Sequence, residues 1–374
     1  KFLPPLLLDQ VAKSFIYYFT KVHDGKTKIK NYRQALEGRW FKREDIEAYE
    51  KMLREQPPSI LLKWSKEYRK KFLELEKFSK NISKKRFENL SKTALLKIFK
   101  RFNILCIKTF CYVYDYVILN RFYAERLNEI ILKYASIKIL NEYLSFISGL
   151  DKPTDVHFSR KLLGEIALCA RQKMVDKSVK KMIRKYVKKF GYLKMFTYFG
   201  EPFSEKDVEK SVKELSRKSK EKIIKEVEVI KELKRNKKKT KEFIKKFGLE
   251  KKDVEAIKVL KEYAYTSLFA DELYHKIHYL VKPLLLDICK RINVSYNQFI
   301  HMTSDEIVLA LKKGVSLKSI NRINSRIKNF DFVYSNGRIK ILIGKDLEKY
   351  ASKQKQEESK LLKCKELKGQ TAFP

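Results

Sequence analysis

Residues 95–134 read LLKIFKRFNILCIKTFCYVYDYVILNRFYAERLNEIILKY, a run with neither Gly nor Pro. Apolar side chains fall on more than one helical face: Phe99, Phe102, Ile104, Leu105, Ile107, Phe110, Val113, Tyr116, Val117 and Leu119. A helix apolar nearly all round belongs at the centre of a bundle rather than on its surface. Asn89-Leu90-Ser91 precedes the run, and Ser91 supplies an N-cap. Its most apolar part, 104–119, is interrupted by Lys108 and Asp115. It is also shorter than the roughly 20 residues that cross a bilayer. The expectation is a buried helix and no membrane partner.

The rest of the chain fits a helical protein. Its 374 residues suggest two or three domains. Apolar residues make up 44%, with 24 Phe and 21 Tyr, enough for a sizeable core. Only 11 Gly and 8 Pro punctuate it, which favours long helices. The expected fold class is mainly α, a multi-helix bundle with a small C-terminal β-hairpin.

The net charge of +40 first suggests nucleic acid. The cations are 67 Lys and 18 Arg, however, whereas base readout and phosphate forks lean on Arg. Lys is interleaved with Glu at helical spacing, as in Lys220-Glu221-Lys222 and Lys225-Glu226, the pattern of a solvated face. Weak non-specific binding to nucleic acid is expected at this charge. Cys106, Cys111, Cys169, Cys289 and Cys364 are scattered and odd in number, which fits reduced thiols and a cytoplasmic location. The chain opens on Lys1, so a preceding piece is expected.

Along the chain, Asp9 is positioned to cap a helix with Phe15, Ile16, Tyr18 and Phe19 on its apolar face. Asp24-Gly25 marks a turn, and 45–56 reads as a charged helix stopped by Pro57-Pro58. Residues 60–78 form an amphipathic helix in which Trp64 packs. Gly149-Leu150-Asp151-Lys152-Pro153-Thr154 is the clearest internal break. Helices over 158–173 and 175–190 lead to a loop, 191–204, carrying Tyr192, Phe196, Tyr198, Phe199 and Phe203. Those rings suit a core-pinned loop better than a single-strand stacking surface. Ser204-Glu205-Lys206-Asp207 is a capping box. Residues 213–246 read as an exposed helical hairpin breaking near 235–240, and 258–292 as a helix kinked or broken at Val281-Lys282-Pro283. Thr303-Ser304-Asp305-Glu306 opens a helix that Gly314 closes as an αL cap.

After a helix over 319–328 the period changes from 3.6 to 2. Phe330, Phe332 and Tyr334 alternate, Asn336-Gly337 supplies a type I′ turn, and Ile339, Ile341 and Ile343 alternate again. The expected division is a helical region over 1–150, a second over 151–329, the hairpin over 330–344, a helical connector over 345–364, and a last piece over 365–374.

No phosphate-binding Gly loop, serine elbow or His-Glu-x-x-His is present. His275 and His278 lie three apart on one helix, but two histidines without a third ligand point to core residues rather than to a metal site. Cys106 and Cys111, five apart, are likewise small core residues. The residues alone assign no catalytic, cofactor-binding or metal-binding side chain.

Several C-terminal segments, in order, resemble one known arrangement. They are Tyr263-Ala264-Tyr265, the run 280–288, Thr303-Ser304-Asp305-Glu306-Ile307, Gly337-Arg338-Ile339-Lys340-Ile341 and Gly344-Lys345-Asp346. Together they resemble the helical linker of the phosphoenolpyruvate-utilising enzyme family, which includes phosphoenolpyruvate synthase, pyruvate phosphate dikinase and rifampicin phosphotransferases. Residues 149–154, Lys185-Tyr186 to Tyr192, and Gly200-Glu201-Pro202-Phe203-Ser204 are similar to the helical part of archaeal-type members, so the resemblance spans about 89–374. Glu366-Leu367-Lys368-Gly369-Gln370-Thr371-Ala372-Phe373-Pro374 is similar to the opening of that family's swivelling phosphohistidine domain. The resemblance implies a relay in which an ATP-grasp unit, in cis or in trans, uses ATP and Mg to phosphorylate a histidine. The swivelling domain then carries the phosphoryl group to pyruvate or another acceptor. That histidine is expected C-terminal to Pro374, so His157, His275, His278 and His301 do not take its role. The helix around Tyr265 to Asp271 lacks arginines that many relatives carry there. Alternative readings are a non-catalytic helical scaffold related to that family and a basic nucleic-acid-binding protein.

Overall fold

The structure, a computed structural model, describes residues 3–23, 28–35, 38–135, 140–173 and 176–362, and it is mainly α. Asp24-Gly25, Cys364 and the segment 365–374, on which expectations were placed above, lie outside the described residues.

The chain begins with α1 (Pro5–Ser14), one π-helical turn (Phe15–Phe19) and the short α2 (Thr20–Val22). Strands β1 (Asn31–Ala35) and β2 (Gly38–Phe41) follow, then α3 (Arg43–Arg54), α4 (Pro58–Ser83), α5 (Lys92–Phe110), α6 (Val113–Tyr134) and α7 (Leu140–Ile147). Next come α8 (Asp155–Lys173), α9 (Lys177–Phe190), a 3-10 turn (Gly191–Lys194), α10 (Glu205–Ser216) and α11 (Lys220–Phe247). The chain continues with α12 (Lys251–Ile292), α13 (Tyr296–Ile300), α14 (Ser304–Lys313) and α15 (Leu317–Lys328). It ends with β3 (Asp331–Ser335), β4 (Arg338–Leu342) and α16 (Gly344–Leu362).

Helix α12 is the axis. It packs along α4 and α6 and touches α8, α13 and α14. One core takes side chains from both ends of the chain: Leu8, Phe19, Phe99 and Phe102 sit with Ile277, Leu285, Phe299 and Phe332, all fully buried. Each such side chain stabilises the fold by about 1.5–3 kcal/mol relative to exposure. Residues of the expected 1–150 region and of 243–334 therefore share a single core. A satellite cluster, Ile166, Val179, Ile183, Tyr186, Phe190, Val208 and Val212, holds α8, α9 and α10 together.

The hairpin forms where alternation placed it, and Asn336 and Gly337 both take positive φ (46° and 83°), as a type I′ turn requires. It does not stand alone. β3 also pairs antiparallel with β1, giving a four-stranded sheet in the order β2-β1-β3-β4. Asp45 accepts hydrogen bonds from the Lys30 and Asn31 amides at 2.8 and 2.9 Å, which fixes the entry into β1. Tyr32, Phe332 and Tyr334 turn to the core, while Val333, Arg338 and Lys340 occupy the other face.

Several helix ends differ from expectation. The run 95–134 is two helices with a turn at Cys111-Tyr112, where Tyr112 leaves helical geometry (φ −110°, ψ 2°). Lys92–Tyr134 is long and apolar enough to cross a membrane by length and composition, but 65% of its apolar window is buried, as in a core helix. The expected break near 235–240 is absent: α11 is continuous. Thr240 is buried and bonds back to the Asn236 carbonyl at 2.8 Å, while the chain breaks earlier, before the Ser219 N-cap. Pro283 does not break α12 either. Proline inside a helix costs about 3 kcal/mol, and the buried Val281, Leu284, Leu285 and Ile288 around it offset that cost. Gly314 has positive φ (81°) but ψ −177°, so it closes α14 outside the αL region. Asp9 lies inside α1, which starts at Pro5, and does not cap it.

Gly164 is where α8 passes closest to α11. A Cβ there meets Val227 Cγ2 at 2.9 Å and the Val227 amide nitrogen at 3.2 Å. Alanine gains about 1 kcal/mol of helix propensity, while overpacking costs about 1–3 kcal/mol, and a β-branched neighbour yields little. Gly164→Ala is therefore expected to lower stability by about 1 kcal/mol, read as a lower urea midpoint. A higher midpoint shows that the two helices separate freely.

Candidate functional site

The sheet and α16 together enclose a cleft. The type I′ turn brings β4 back beside β3, and Gly344 (φ 52°) turns the chain straight into α16. Tyr350 on α16 then faces the outer surface of the sheet. The cleft between them holds about 580 Å³ and is lined by Val333, Ser335, Asn336, Arg338, Lys340, Leu342 and Tyr350. Cross-strand register puts Arg33, Val333 and Lys340 in one row and Asn31, Ser335 and Arg338 in the next.

The cations of this face are of two kinds. Arg33 is tied down: its Nη2 and Nε donate to Asp331 Oδ2 at 2.6 and 3.0 Å, and its guanidinium lies 5.1 Å from the Tyr350 ring. Arg338 and Lys340 are exposed and have no carboxylate partner among the described residues. The cleft thus offers two uncommitted cations beside a fixed arginine, a surface suited to an anionic partner.

Polar groups elsewhere are spent on joining helices. Asp9 accepts hydrogen bonds from the Ser304 amide (3.0 Å) and hydroxyl (2.5 Å), so it caps α14 from α1. Lys13, 3.2 Å from Asp9, also reaches Asp305 at 2.8 Å. Burial pushes the Asp9 carboxyl above its usual range, against the opposing pull of Lys13 and Ser304. Glu272 on α12 does the same for α8, accepting from the Asp155 and Val156 amides at 2.7 and 3.2 Å and from the Thr154 hydroxyl at 2.5 Å.

Comparison with protein-family profiles, with characterised proteins and with solved structures returns no match.

The histidines singled out from the sequence are dispersed. His278 is buried between the Tyr198 and Tyr274 rings, at 4.1 and 4.2 Å, and its Nδ1 donates to the Tyr274 carbonyl at 2.8 Å. Burial pushes its pKa down to about 3. His275 lies 3.7 Å from Asp271 and edge-on to Phe196. His157 meets Thr154 at the start of α8, and Nδ1 of His301 donates to the Asn297 carbonyl at 2.7 Å. Among the described residues, no group of three or more His, Cys, Asp or Glu is arranged to hold a metal. Cys106 and Cys111 are buried and burial raises both thiols, while Cys289 is pushed up to about 12. Trp64 is buried and packs edge-on to His23.

The aromatic loop 191–204 turns inward. Tyr192 donates to Asp155, and Tyr198, fully buried, donates to Gln10 Oε1 at 3.2 Å. One network had escaped the sequence reading. His23, Asp115 and Tyr49 form a sealed set in which Asp115 accepts from Tyr49 and lies 3.1 Å from His23 Nε2. The signal was Asp115 itself, a carboxylate inside an all-round apolar run, which requires a buried partner. All three are at most 1% exposed, so the set is closed to substrate and serves structure.

Proposed function

We propose that this chain is the helical, linker-bearing body of a phosphoenolpyruvate-utilising-type phosphotransferase, working in the cytoplasm. It positions a swivelling phosphohistidine domain attached after residue 374. The observation carrying the reading is the path taken by the segments that resemble that linker. They run from α12 (263–265 and 280–288) through the N-terminus of α14 (303–307) and β4 (337–341) to the first turn of α16 (344–346). A mobile carrier needs a rigid mount. Pairing of β3 with β1 and burial of Phe330 and Phe332 supply one immediately before α16. The cleft with Arg338 and Lys340 lies between that sheet and α16 and supports the reading by offering cations to a phosphorylated domain.

ATP and Mg belong, in this reading, to an ATP-grasp unit in cis or in trans, and pyruvate or another small acid is the acceptor. The inward-facing rings of Tyr192 and Tyr198 weigh against the alternative of a nucleic-acid stacking surface. Incubating the full-length protein with ATP carrying ³²P at both its β- and γ-phosphates, together with any ATP-grasp partner, is expected to place acid-labile, base-stable label on a histidine. Absence of label with every nucleoside triphosphate overturns the proposal and leaves the non-catalytic scaffold.

A further inference from the structure

A second concavity lies between α4, α12 and the break at 149–154. It holds about 300 Å³, and Lys66, Lys152, Lys258, Lys261 and Tyr265 line it together with Asp151 and Glu262. Both carboxylates are already committed. Glu262 pairs with Arg69 and, at 3.2 Å, with Lys152. Asp151 holds the buried Lys261 ammonium at 2.8 Å, which also donates to the Gly149 carbonyl at 2.9 Å. Lys66 and Lys258 are left without a carboxylate among the described residues, although both line the same hollow.

This arrangement differs from that of the lysines along outer helix faces. On outer helix faces such as those of α8 and α11 Lys pairs with Glu one turn away, as in Lys161–Glu165 and Lys238–Glu242, and on α9 the lysines stand on an exposed, solvated face. Here cations from three separate elements converge on a concave wall, where low-dielectric surroundings concentrate their field. Tyr265 forms part of that wall, its ring 5.1 Å from the Lys152 ammonium and 5.6 Å from the Arg69 guanidinium. Burial raises its pKa, so its hydroxyl stays protonated and able to donate.

We infer that this cleft is a binding site for a small multivalent oxyanion, of the pyrophosphate class, gripped by Lys66 and Lys258 against the Lys152–Tyr265 wall. The inference is independent of the phosphotransferase reading and survives its failure. The test is calorimetric titration of the full chain with pyrophosphate, with ionic strength held constant by sodium chloride. One site is expected. The double variant Lys66→Gln/Lys258→Gln weakens it by about ten-fold or more, since charge-assisted contacts are the strong ones. Tyr265→Phe, which keeps the fold and the ring, weakens it to a smaller degree. A control pair on the outer face of α9, Lys181→Gln/Lys188→Gln, removes the same charge and leaves affinity unchanged. Equal losses in the two double variants, or none in either, show diffuse attraction to a +40 surface and overturn the site.

Discussion

Replacing Asp9 by alanine is expected to destabilise the protein by about 1–3 kcal/mol, the range for leaving a buried donor unsatisfied, since Lys13 keeps Asp305 as a partner. Asp9 is 1% exposed, accepts two hydrogen bonds from Ser304, and faces Lys13. Its removal leaves the Ser304 amide, at the first turn of α14, without its acceptor in a buried place. The gain in helix propensity inside α1 is only about 0.5 kcal/mol and does not reverse the sign. Asp9→Asn retains an oxygen that accepts from Ser304 and loses only the charge facing Lys13, so it is expected to cost less than alanine. Urea denaturation of the two variants beside the parent checks this. Equal midpoints for Asp9→Ala and the parent show that the α1–α14 latch carries no stability.

The second large effect concerns acid. Below about pH 6.5, His278 takes up a proton in the unfolded chain, whereas the folded chain withholds one down to about pH 3. Stability is therefore full above pH 6.5 and falls as pH drops, at about 1.4 kcal/mol per pH unit. Between pH 7 and pH 5 this residue alone accounts for about 2 kcal/mol. His157 and His301, also lowered chiefly by burial, act with the same sign. Asp9, raised by burial, acts with the opposite sign and only above its unfolded value of 3.8, where stability is lost as pH rises. His278→Phe keeps a ring between Tyr198 and Tyr274 and removes the titration. The difference between variant and parent, measured at both pH values, is expected to move by that amount. Parallel pH dependences for variant and parent refute the assignment.

These two residues also show what could be read before the fold was known. Apolar periodicity, the N-caps at Ser91 and Ser204 and the hairpin at Asn336-Gly337 are local, and each appears where the residues placed it. Asp9 was recognisable as a capping residue. Its helix, however, starts 295 residues later, and no local rule carries that distance. Strands β1 and β2 escaped notice because Asn31-Tyr32-Arg33-Gln34 alternates only weakly and gains its order from β3. Continuity of α12 past Pro283 and of α11 past Thr240 was set by burial against neighbouring helices, which outweighs local breaking tendency. The lysines around Tyr265 are unremarkable in a chain so rich in Lys, and only their convergence on one hollow sets them apart.

The pairing of β1 with β3 carries a consequence for how the protein is made. Arg33 and its partner Asp331 are separated by 298 residues. At translation rates of about 5–20 residues per second, β1 leaves the ribosome roughly 15–60 s before its neighbour exists. During that interval the β1–β2 ribbon presents a bare edge, the geometry most prone to pairing with another nascent chain. The sheet closes only once β3 has been made, and the yield in a cell depends on what shields that ribbon until β3 arrives.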